Sequence, residues 1–199
     1  MPDDVSTTAL DHAALKTGSD AHLQPLNSAS SPVFALPDLR SLHAHSAWGN
    51  WYFAYGSNMN PARMQARGLA VLEALPGHLP GYSLCFNKRA ADRAPGRAYA
   101  NIRHEREGRV EGVLYRLPDA GEIAKLDHFE GTPIYYSREC LPIVTAHGVQ
   151  PAWVYIANPA FRQEGLLPSA DYLAHLLAGR ELLSEAYWSA LAVLPVHPD

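Results

Sequence analysis

The segment 52–59 constrains the fold more than any other part of the chain, because an aromatic run changes there into a polar turn that contains glycine. Residues 52–55 favour an extended, buried strand. Gly56 permits a sharp bend and the close approach of a ligand. Ser57 and Asn58 have short polar side chains that form local hydrogen bonds. The pattern predicts a strand that ends in a turn, and it places the functional site at that turn.

A helix is predicted directly after the turn. Asn60 suits the N-cap, Pro61 suits the first helical position, and Gly68 is placed to end the helix. The free backbone amides of such a strand–turn–helix junction converge on one point, where they can hold an anion or an oxyanion.

Short β-like segments make up most of the remaining chain, and Pro-Gly pairs at 76–77, 80–81 and 95–96 separate several of them. Their even spacing predicts a closed or strongly curved sheet rather than alternating βαβ units. The predicted segments are 71–75, 82–87, 98–103, 109–117, 136–145 and 151–157.

Capping residues predict three further helices at the periphery of this sheet. Asp119 and Glu122 have the spacing of a capping box before a helix that ends at Gly131. Ser169 and Ser184 are the predicted N-caps of two helices near the end of the sequence.

Composition separates residues 1–47 from residues 48–199. The first segment has five acidic and two basic residues, many Ser, Thr, Pro and Ala, and no sustained apolar period, so we expect a flexible, disordered N-terminal extension. The second segment is expected to form one domain. With 199 residues, 47% of them hydrophobic, the chain is long enough to bury a full core.

Charge and cysteine content argue against several classes of partner. Subtracting the −3 of residues 1–47 from the net charge of −4 leaves about −1, which is too little to steer nucleic acid or an acidic membrane. The basic residues between 88 and 116 give a local net charge of +4, which we interpret as a solvated hairpin surface because stacking aromatic side chains are few.

No signal peptide or membrane span is predicted. Cys85 and Cys140 lie in apolar segments, which predicts reduced thiols and a cytoplasmic protein. We expect a monomer or a homodimer.

Glu130 is the candidate acid or base. It lies between Phe129 and Gly131 at a predicted helix end, where the negative pole of the helix and an apolar neighbour both disfavour the ionised carboxylate. We therefore expect its pKa to be raised. The alternative, from position alone, is an exposed glutamate beside a glycine that ends the helix. The histidines lack i,i+4 pairing and cysteine partners, so we predict no metal site and no cofactor.

Three separated motifs, taken together, resemble the gamma-glutamylcyclotransferase family. They are Tyr52 to Asn58, the Asp-His-Phe-Glu-Gly segment at 127–131, and Tyr136-Ser137-Arg138. The resemblance covers about residues 51–194. It implies an α+β fold in which a small mixed β-barrel carries peripheral helices.

The resemblance also implies a reaction. In a small gamma-glutamyl compound, the α-amine attacks its own γ-carbonyl, closes 5-oxoproline and expels an amine or amino acid. The protein must hold the substrate curled and stabilise an oxyanion, and Glu130 would be the acid/base. The residues implied to bind the gamma-glutamyl group are Tyr55, Gly56, Ser57 and Asn58.

Several alternatives stay open at this stage. Tyr136 fits a site role and a core role equally well, and Arg138 is a candidate either for substrate contact or for pairing with acids. A catalytically silent interaction domain is the alternative function, although the presence of both the turn and Glu130 argues against it. Because no second charged cluster of recognisable spacing is present, we expect the departing amine to be recognised loosely.

Overall fold

Five strands form a closed, mixed β-barrel. The computed structural model describes residues 50–90 and 96–198. The strands, numbered along the chain, are β1 (Trp51–Ala54), β2 (Glu73–Arg89), β3 (Ala98–Arg116), β4 (Tyr136–Thr145) and β5 (Gly148–Ala157). Around the barrel they follow the order β1-β3-β2-β4-β5. The parallel pairing of β1 with β5, at Tyr52 and Trp153, closes the barrel, and the other neighbours are antiparallel. The predicted α+β barrel is confirmed.

The long hairpin of β2 and β3 corrects one prediction. The segments 71–75 and 82–87 were expected to be separate strands, but a single strand runs through both Pro-Gly pairs between them. An added Cβ on Gly77 would lie 2.8 Å from Ile143 Cγ2, so this glycine makes room for β4. Gly81 has a φ of +77° at a bulge, where the register with β3 shifts. These glycines fit the strand to its neighbours instead of ending it. The segments 98–103 and 109–117 likewise belong to one strand, β3.

Four helices pack around the barrel within the described ranges. They are α1 (Pro61–Ala66), α2 (Ala120–Glu130), α3 (Ala170–Leu177) and α4 (Glu185–Ala192). The predicted N-caps Asn60, Asp119, Ser169 and Ser184 all accept a hydrogen bond from a backbone amide of their helix. Glu122 does not complete the expected capping box. It accepts instead from the Ala70 amide at 3.0 Å and pairs with Lys125 at 2.8 Å, and so ties α2 to the segment after α1.

Two groups of apolar side chains hold the strand that precedes the turn. Phe53 points into the barrel with no exposed surface, and Tyr52 packs on the other side, between the barrel and the helices. Burial of one such side chain stabilises the fold by roughly 1.5–3 kcal/mol. Both faces of β1 are therefore anchored, which fixes the position of the turn that follows it.

Three further expectations concern the N-terminal residues, membrane spans and the two cysteines. Residues 1–47, predicted to be a flexible extension, lie outside the described residues. In residues 50–90 and 96–198, none of the helices has the length and apolarity needed to cross a membrane. Cys85 and Cys140 are both free thiols, and burial raises the pKa of each, to about 11 for Cys85.

Candidate active site

The turn after β1 has the predicted strand–turn–helix form. A short 3-10 helix, Ser57–Met59, begins after Gly56 and is followed at once by α1. Two backbone hydrogen bonds close the turn: the Met59 amide donates to the Gly56 carbonyl at 2.9 Å, and the Asn60 amide donates to the Ser57 carbonyl at 3.2 Å. The first amides of a helix have no partner within it, and the backbone of Ser57 is hydrogen-bonded to the Tyr172 hydroxyl across the site.

Gly56 is needed for space and not for an unusual backbone angle. Its φ is −118°, which any residue adopts. An added Cβ, however, would lie 3.1 Å from the Tyr172 hydroxyl and 3.2 Å from Ala100 Cβ. The glycine therefore keeps the turn close to α3 and β3, which form the opposite wall of the site.

Asn58 connects the turn to Glu130. Its side chain is buried, and its amide nitrogen donates to the Tyr52 hydroxyl at 2.8 Å and to Glu130 Oε1 at 3.2 Å. Its amide oxygen accepts from Arg67 Nη1 at 3.0 Å. In addition, the Tyr115 hydroxyl donates to the Asn58 backbone carbonyl at 3.0 Å. A side chain held at both ends in this way fixes the orientation of the carboxylate that it contacts.

Glu130 is the last residue of α2, and Gly131, with a φ of +62°, ends the helix behind it. The Glu130 side chain is only 19% exposed, and Arg67 Nη1 lies 3.4 Å from Oε1. Burial raises the pKa of Glu130, while the charge and hydrogen bond of Arg67 oppose this shift. The predicted direction is confirmed, and the interpretation as an exposed surface glutamate is wrong. The main cause is burial, whereas the sequence had indicated the helix pole together with an apolar neighbour.

An inner cavity of about 30 Å³ brings the six predicted site residues together. It lies between the turn, the end of α2, the start of β4, and α3. Four residues that the sequence did not single out for the site complete the lining. The lining residues are Tyr52, Tyr55, Gly56, Ser57, Asn58, Ala100, Glu130, Tyr136, Tyr155 and Tyr172.

The tyrosine hydroxyls of this cavity are bonded largely to the backbone. Tyr55 donates to the Tyr155 carbonyl, and Tyr136 donates to the Ala100 carbonyl at 3.1 Å. Tyr136 packs in the core and also lines the cavity. Its hydroxyl bonds to the Ala100 carbonyl and not to Glu130. Burial raises the pKa of both hydroxyls, so they remain protonated donors at neutral pH.

Arg138 lies outside the site. Its guanidinium pairs with Asp127 at 2.7 Å and stacks over the Trp153 ring at 4.6 Å. Asp127 also accepts from the Tyr155 hydroxyl at 2.7 Å. Of the two roles considered for Arg138, pairing with an acid is the one observed, and it supports a tyrosine that lines the cavity.

A larger outer pocket of about 260 Å³ adjoins the inner cavity and shares four lining residues with it: Ser57, Glu130, Tyr136 and Tyr172. No motif in the sequence indicated this pocket. Three cationic and three aromatic side chains complete its lining, namely Arg63, Arg67, Lys88, Tyr99, Phe129 and Tyr135. A signal was available for the two arginines, because Arg67 follows Arg63 by four residues and caps the end of α1, so the two side chains lie on the same side of the helix axis.

No metal cluster accompanies these residues. In the part of the chain that the structure describes, no three His, Cys, Asp or Glu side chains are grouped so that they could hold an ion.

Comparison with known families decides the assignment. The model of the family described as "Gamma-glutamyl cyclotransferase, AIG2-like" matches residues 52–174. The chain belongs to this family. The matched region starts in β1 and extends into α3, so it contains the turn, Glu130, Tyr136 and Tyr172.

Solved structures share the fold of this gamma-glutamyl cyclotransferase family member. A structure described as a gamma-glutamyl cyclotransferase is 21% identical, with a TM-score of 0.63, over 74% of this chain and 88% of that one. YkqA from Bacillus subtilis is 24% identical, with a TM-score of 0.63, over 74% of this chain and 55% of that one. A yeast protein described as a gamma-glutamyl cyclotransferase specific to glutathione is 14% identical, with a TM-score of 0.53, over 72% and 94%. No curated protein sequence matches the chain.

The contact between Arg67 and Glu130 predicts the pH dependence of any activity that needs the Glu130 carboxylate. Arg67 lowers the pKa of Glu130 against the effect of burial, so Arg67→Met should raise this pKa further. A base with a higher pKa is deprotonated only at higher pH, and the acidic limb of the kcat/KM profile should therefore move to higher pH. Arg67→Lys, which keeps the charge, should move it less. An unmoved limb in Arg67→Met would show that another group titrates.

Proposed function

We propose that this protein is a cyclotransferase that cleaves a gamma-glutamyl amide or dipeptide and releases 5-oxoproline. The substrate α-nitrogen forms a bond to the γ-carbonyl carbon, and the bond from that carbon to the amide nitrogen breaks. The amine or amino acid leaves with that nitrogen. The substrate itself supplies the nucleophile, so the protein needs no nucleophilic side chain and no cofactor.

Proton transfer is the task proposed for Glu130. The α-ammonium group loses two protons when it becomes the lactam nitrogen, and the departing nitrogen gains two when it leaves as an ammonium group. A carboxylate between the two nitrogens can carry these protons one at a time. The raised pKa of Glu130 suits this role, because the group has to accept a proton and return it within one turnover.

The observation that carries the proposal is the position of Glu130 opposite the turn. Asn58 and Arg67 hold the carboxylate in place, and residues 56–58 line the same cavity. Their backbone amides are the proposed donors to the oxyanion that forms when the γ-carbonyl is attacked. Preorganised donors of this kind typically contribute a factor of about 10²–10³ each to the rate.

The curled substrate requires a closed wall on the other side of the cavity. Tyr55, Tyr136 and Tyr172 are buried or largely buried around it, and the Tyr172 hydroxyl accepts from the Ala100 amide at 3.0 Å. Side chains held in this way form a preorganised wall, which can hold the α-amine near the γ-carbonyl and so lower the entropic part of the barrier.

The direct test is incubation of the full chain with a panel of gamma-glutamyl compounds, followed by measurement of 5-oxoproline. The panel should contain glutathione, gamma-glutamyl amino acids and gamma-glutamyl alkylamides. Time-dependent formation of 5-oxoproline from at least one of them is expected. Binding of these compounds without any product would contradict the proposal and favour the silent interaction domain.

We further expect turnover to survive exhaustive chelation without any added cofactor, since lactam closure needs only orientation and proton transfer. The measurement is the rate of 5-oxoproline formation before and after treatment with a chelator. Loss of activity that one metal ion restores would contradict this prediction.

A further inference from the structure

We infer that Asp127 is a positioning residue for the proposed reaction: its side chain ties the last turn of α2 to two strands of the barrel and so fixes where the Glu130 carboxylate lies. This inference rests on the proposed function. It goes beyond that function because it assigns a task in turnover to a carboxylate that lines neither the inner cavity nor the outer pocket. Asp127 precedes Glu130 by three residues, which is nearly one turn of the same helix.

The Asp127 side chain accepts two short hydrogen bonds from neighbouring strands. Oδ1 accepts from the Tyr155 hydroxyl of β5 at 2.7 Å, and Oδ2 accepts from Arg138 Nη1 of β4 at 2.7 Å. Arg138 and Tyr155 lie directly opposite each other in the β4–β5 pairing, so their side chains are on the same face of the sheet. Because each carboxylate oxygen is bonded to a different strand, both the position and the orientation of the Asp127 carboxylate are fixed.

Tyr155 connects this carboxylate to the wall of the inner cavity. Its ring lines the cavity, and its backbone carbonyl accepts from the Tyr55 hydroxyl. Its own hydroxyl also lies 3.4 Å from the Ile123 carbonyl, one turn earlier in α2 than Asp127. Burial and the hydrogen bond to Asp127 raise the pKa of Tyr155, so the hydroxyl stays a donor at neutral pH. The cavity wall and α2 are therefore held together at this point.

The backbone of Asp127 shapes the end of the helix. Its carbonyl accepts from the Gly131 amide and, at 2.9 Å, from the Thr132 amide. Bonds of this kind belong to the left-handed turn that ends a helix at glycine. Glu130 lies within the loop that these bonds close. The side chain and the backbone of Asp127 thus act together on the place from which the Glu130 side chain extends.

The contacts of Glu130 itself are too long to fix its position alone. Asn58 and Arg67 donate to Oε1 at 3.2 Å and 3.4 Å, whereas N–H···O bonds are usually about 2.9–3.0 Å long. The bonds at Asp127 are shorter, as expected for strong charge-assisted contacts. In the proposed reaction Glu130 has to reach two nitrogens in turn, and a misplacement of about 1 Å can cost about 100-fold in rate. The anchor at Asp127 therefore matters for turnover.

The test replaces Asp127 with asparagine in the full chain. It measures kcat and KM for 5-oxoproline formation from the panel compound that the unmodified protein converts fastest. The amide keeps the volume of the carboxylate but has one acceptor oxygen, so it cannot hold Tyr155 and Arg138 with separate oxygens. We expect kcat to fall about 10–100-fold and KM to change by less than about threefold, because the turn at 56–58 is untouched. A purely structural role would lower Tm and leave the kcat of the folded protein unchanged.

Tyr155→Phe is the second variant. It removes only the hydroxyl and keeps the ring that lines the inner cavity, and kcat should again fall with little change in KM. Since Asp127→Asn and Tyr155→Phe weaken the same bond, the double variant should lose little more than the single variant with the larger loss. Losses that multiply in the double variant would show that Asp127 does not act through Tyr155. If Asp127→Asn does not fold, the kcat and KM of Tyr155→Phe decide.

Glu73→Gln is the matched control. It breaks an ion pair of similar length, between Glu73 and Arg116 at 2.9 Å, whose two side chains line neither the inner cavity nor the outer pocket. Its kcat and KM should equal those of the unmodified protein. A thermal melt of every variant separates loss of fold from loss of turnover.

The outcomes also separate the inference from the proposed function. An unchanged kcat in Asp127→Asn would overturn the inference alone, whether or not Tm falls. A rise in KM without a fall in kcat would overturn it too, because it would assign Asp127 to substrate binding. Absence of 5-oxoproline from every compound of the panel with the unmodified protein would overturn the proposed function and the inference with it.

Discussion

Replacing Glu130 with glutamine should reduce the rate of 5-oxoproline formation by about 10²–10⁴-fold, the usual contribution of a positioned acid/base. The amide has the same volume as the carboxylate, and its oxygen can still accept from Asn58 and Arg67, which contact Oε1 in the structure. It cannot carry a proton between two nitrogens. We therefore expect the variant to bind substrate and to melt within a few degrees of the unmodified protein.

Glu122→Gln is the matched control for this experiment. Glu122 is also a buried glutamate of α2, but it bonds to the Ala70 amide and Lys125, away from the inner cavity. The control should keep its activity. A well-folded Glu130→Gln variant with comparable activity would show that Glu130 is not the acid/base.

Replacing Gly112 with alanine should lower the free energy of unfolding of the barrel and abolish activity. An added Cβ would lie against the Ala54 carbonyl oxygen, closer than real Cβ atoms approach a backbone atom, and 2.8 Å from Phe53 Cζ. Neither group can move without displacing the end of β1, to which the turn is attached. Overpacking of this kind costs about 3 kcal/mol or more, which corresponds to a fall in Tm of roughly 6–12 °C for a domain of this size.

Gly68→Ala is the control for a generic effect of adding a methyl group. Gly68 has a φ of +67°, but an added Cβ there meets nothing within 4 Å. Only the backbone strain applies, which costs about 1 kcal/mol. Equal losses of Tm in the two variants would mean that the approach of Gly112 to β1 is not the cause. Full activity in Gly112→Ala would show that the position of the turn does not depend on the packing of β1 against β3.

The local chemistry of the turn and the helix ends was readable from the sequence. Asn60 and Pro61 begin α1 as predicted, because an N-cap side chain and a preset φ act on the nearest turn of backbone alone. Gly131 ends α2 for the same kind of local reason. The approximate place of Glu130 relative to the turn was predictable only through the family resemblance, since 72 residues separate Asn58 and Glu130 along the chain.

The strand boundaries of the long hairpin were not readable in this way. Pro-Gly pairs at 76–77 and 80–81 have the composition of turns, and a local rule therefore divides β2. The structure keeps the strand continuous because Gly77 faces Ile143 of β4 and Gly81 forms a bulge against β3. Whether a glycine ends a strand or accommodates a neighbour depends on that neighbour, which lies far away in the sequence.

The sequence by itself thus determined the strand–turn–helix motif and the capped helices, since each depends on residues close together in the chain. The candidate carboxylate, Glu130, followed from the family resemblance, and the direction of its pKa shift was predicted correctly although its main cause is burial. Tertiary structure decided the rest of the site. Burial in the folded protein is the main cause of the raised pKa of Glu130, and Arg67 and Asn58 oppose the shift. Lys88 of β2 and Arg63 of α1 came to line one pocket only because the closed barrel brings their elements together. Electrostatic and steric interactions act through space, so a pattern along the chain cannot reveal which distant charges will share a pocket.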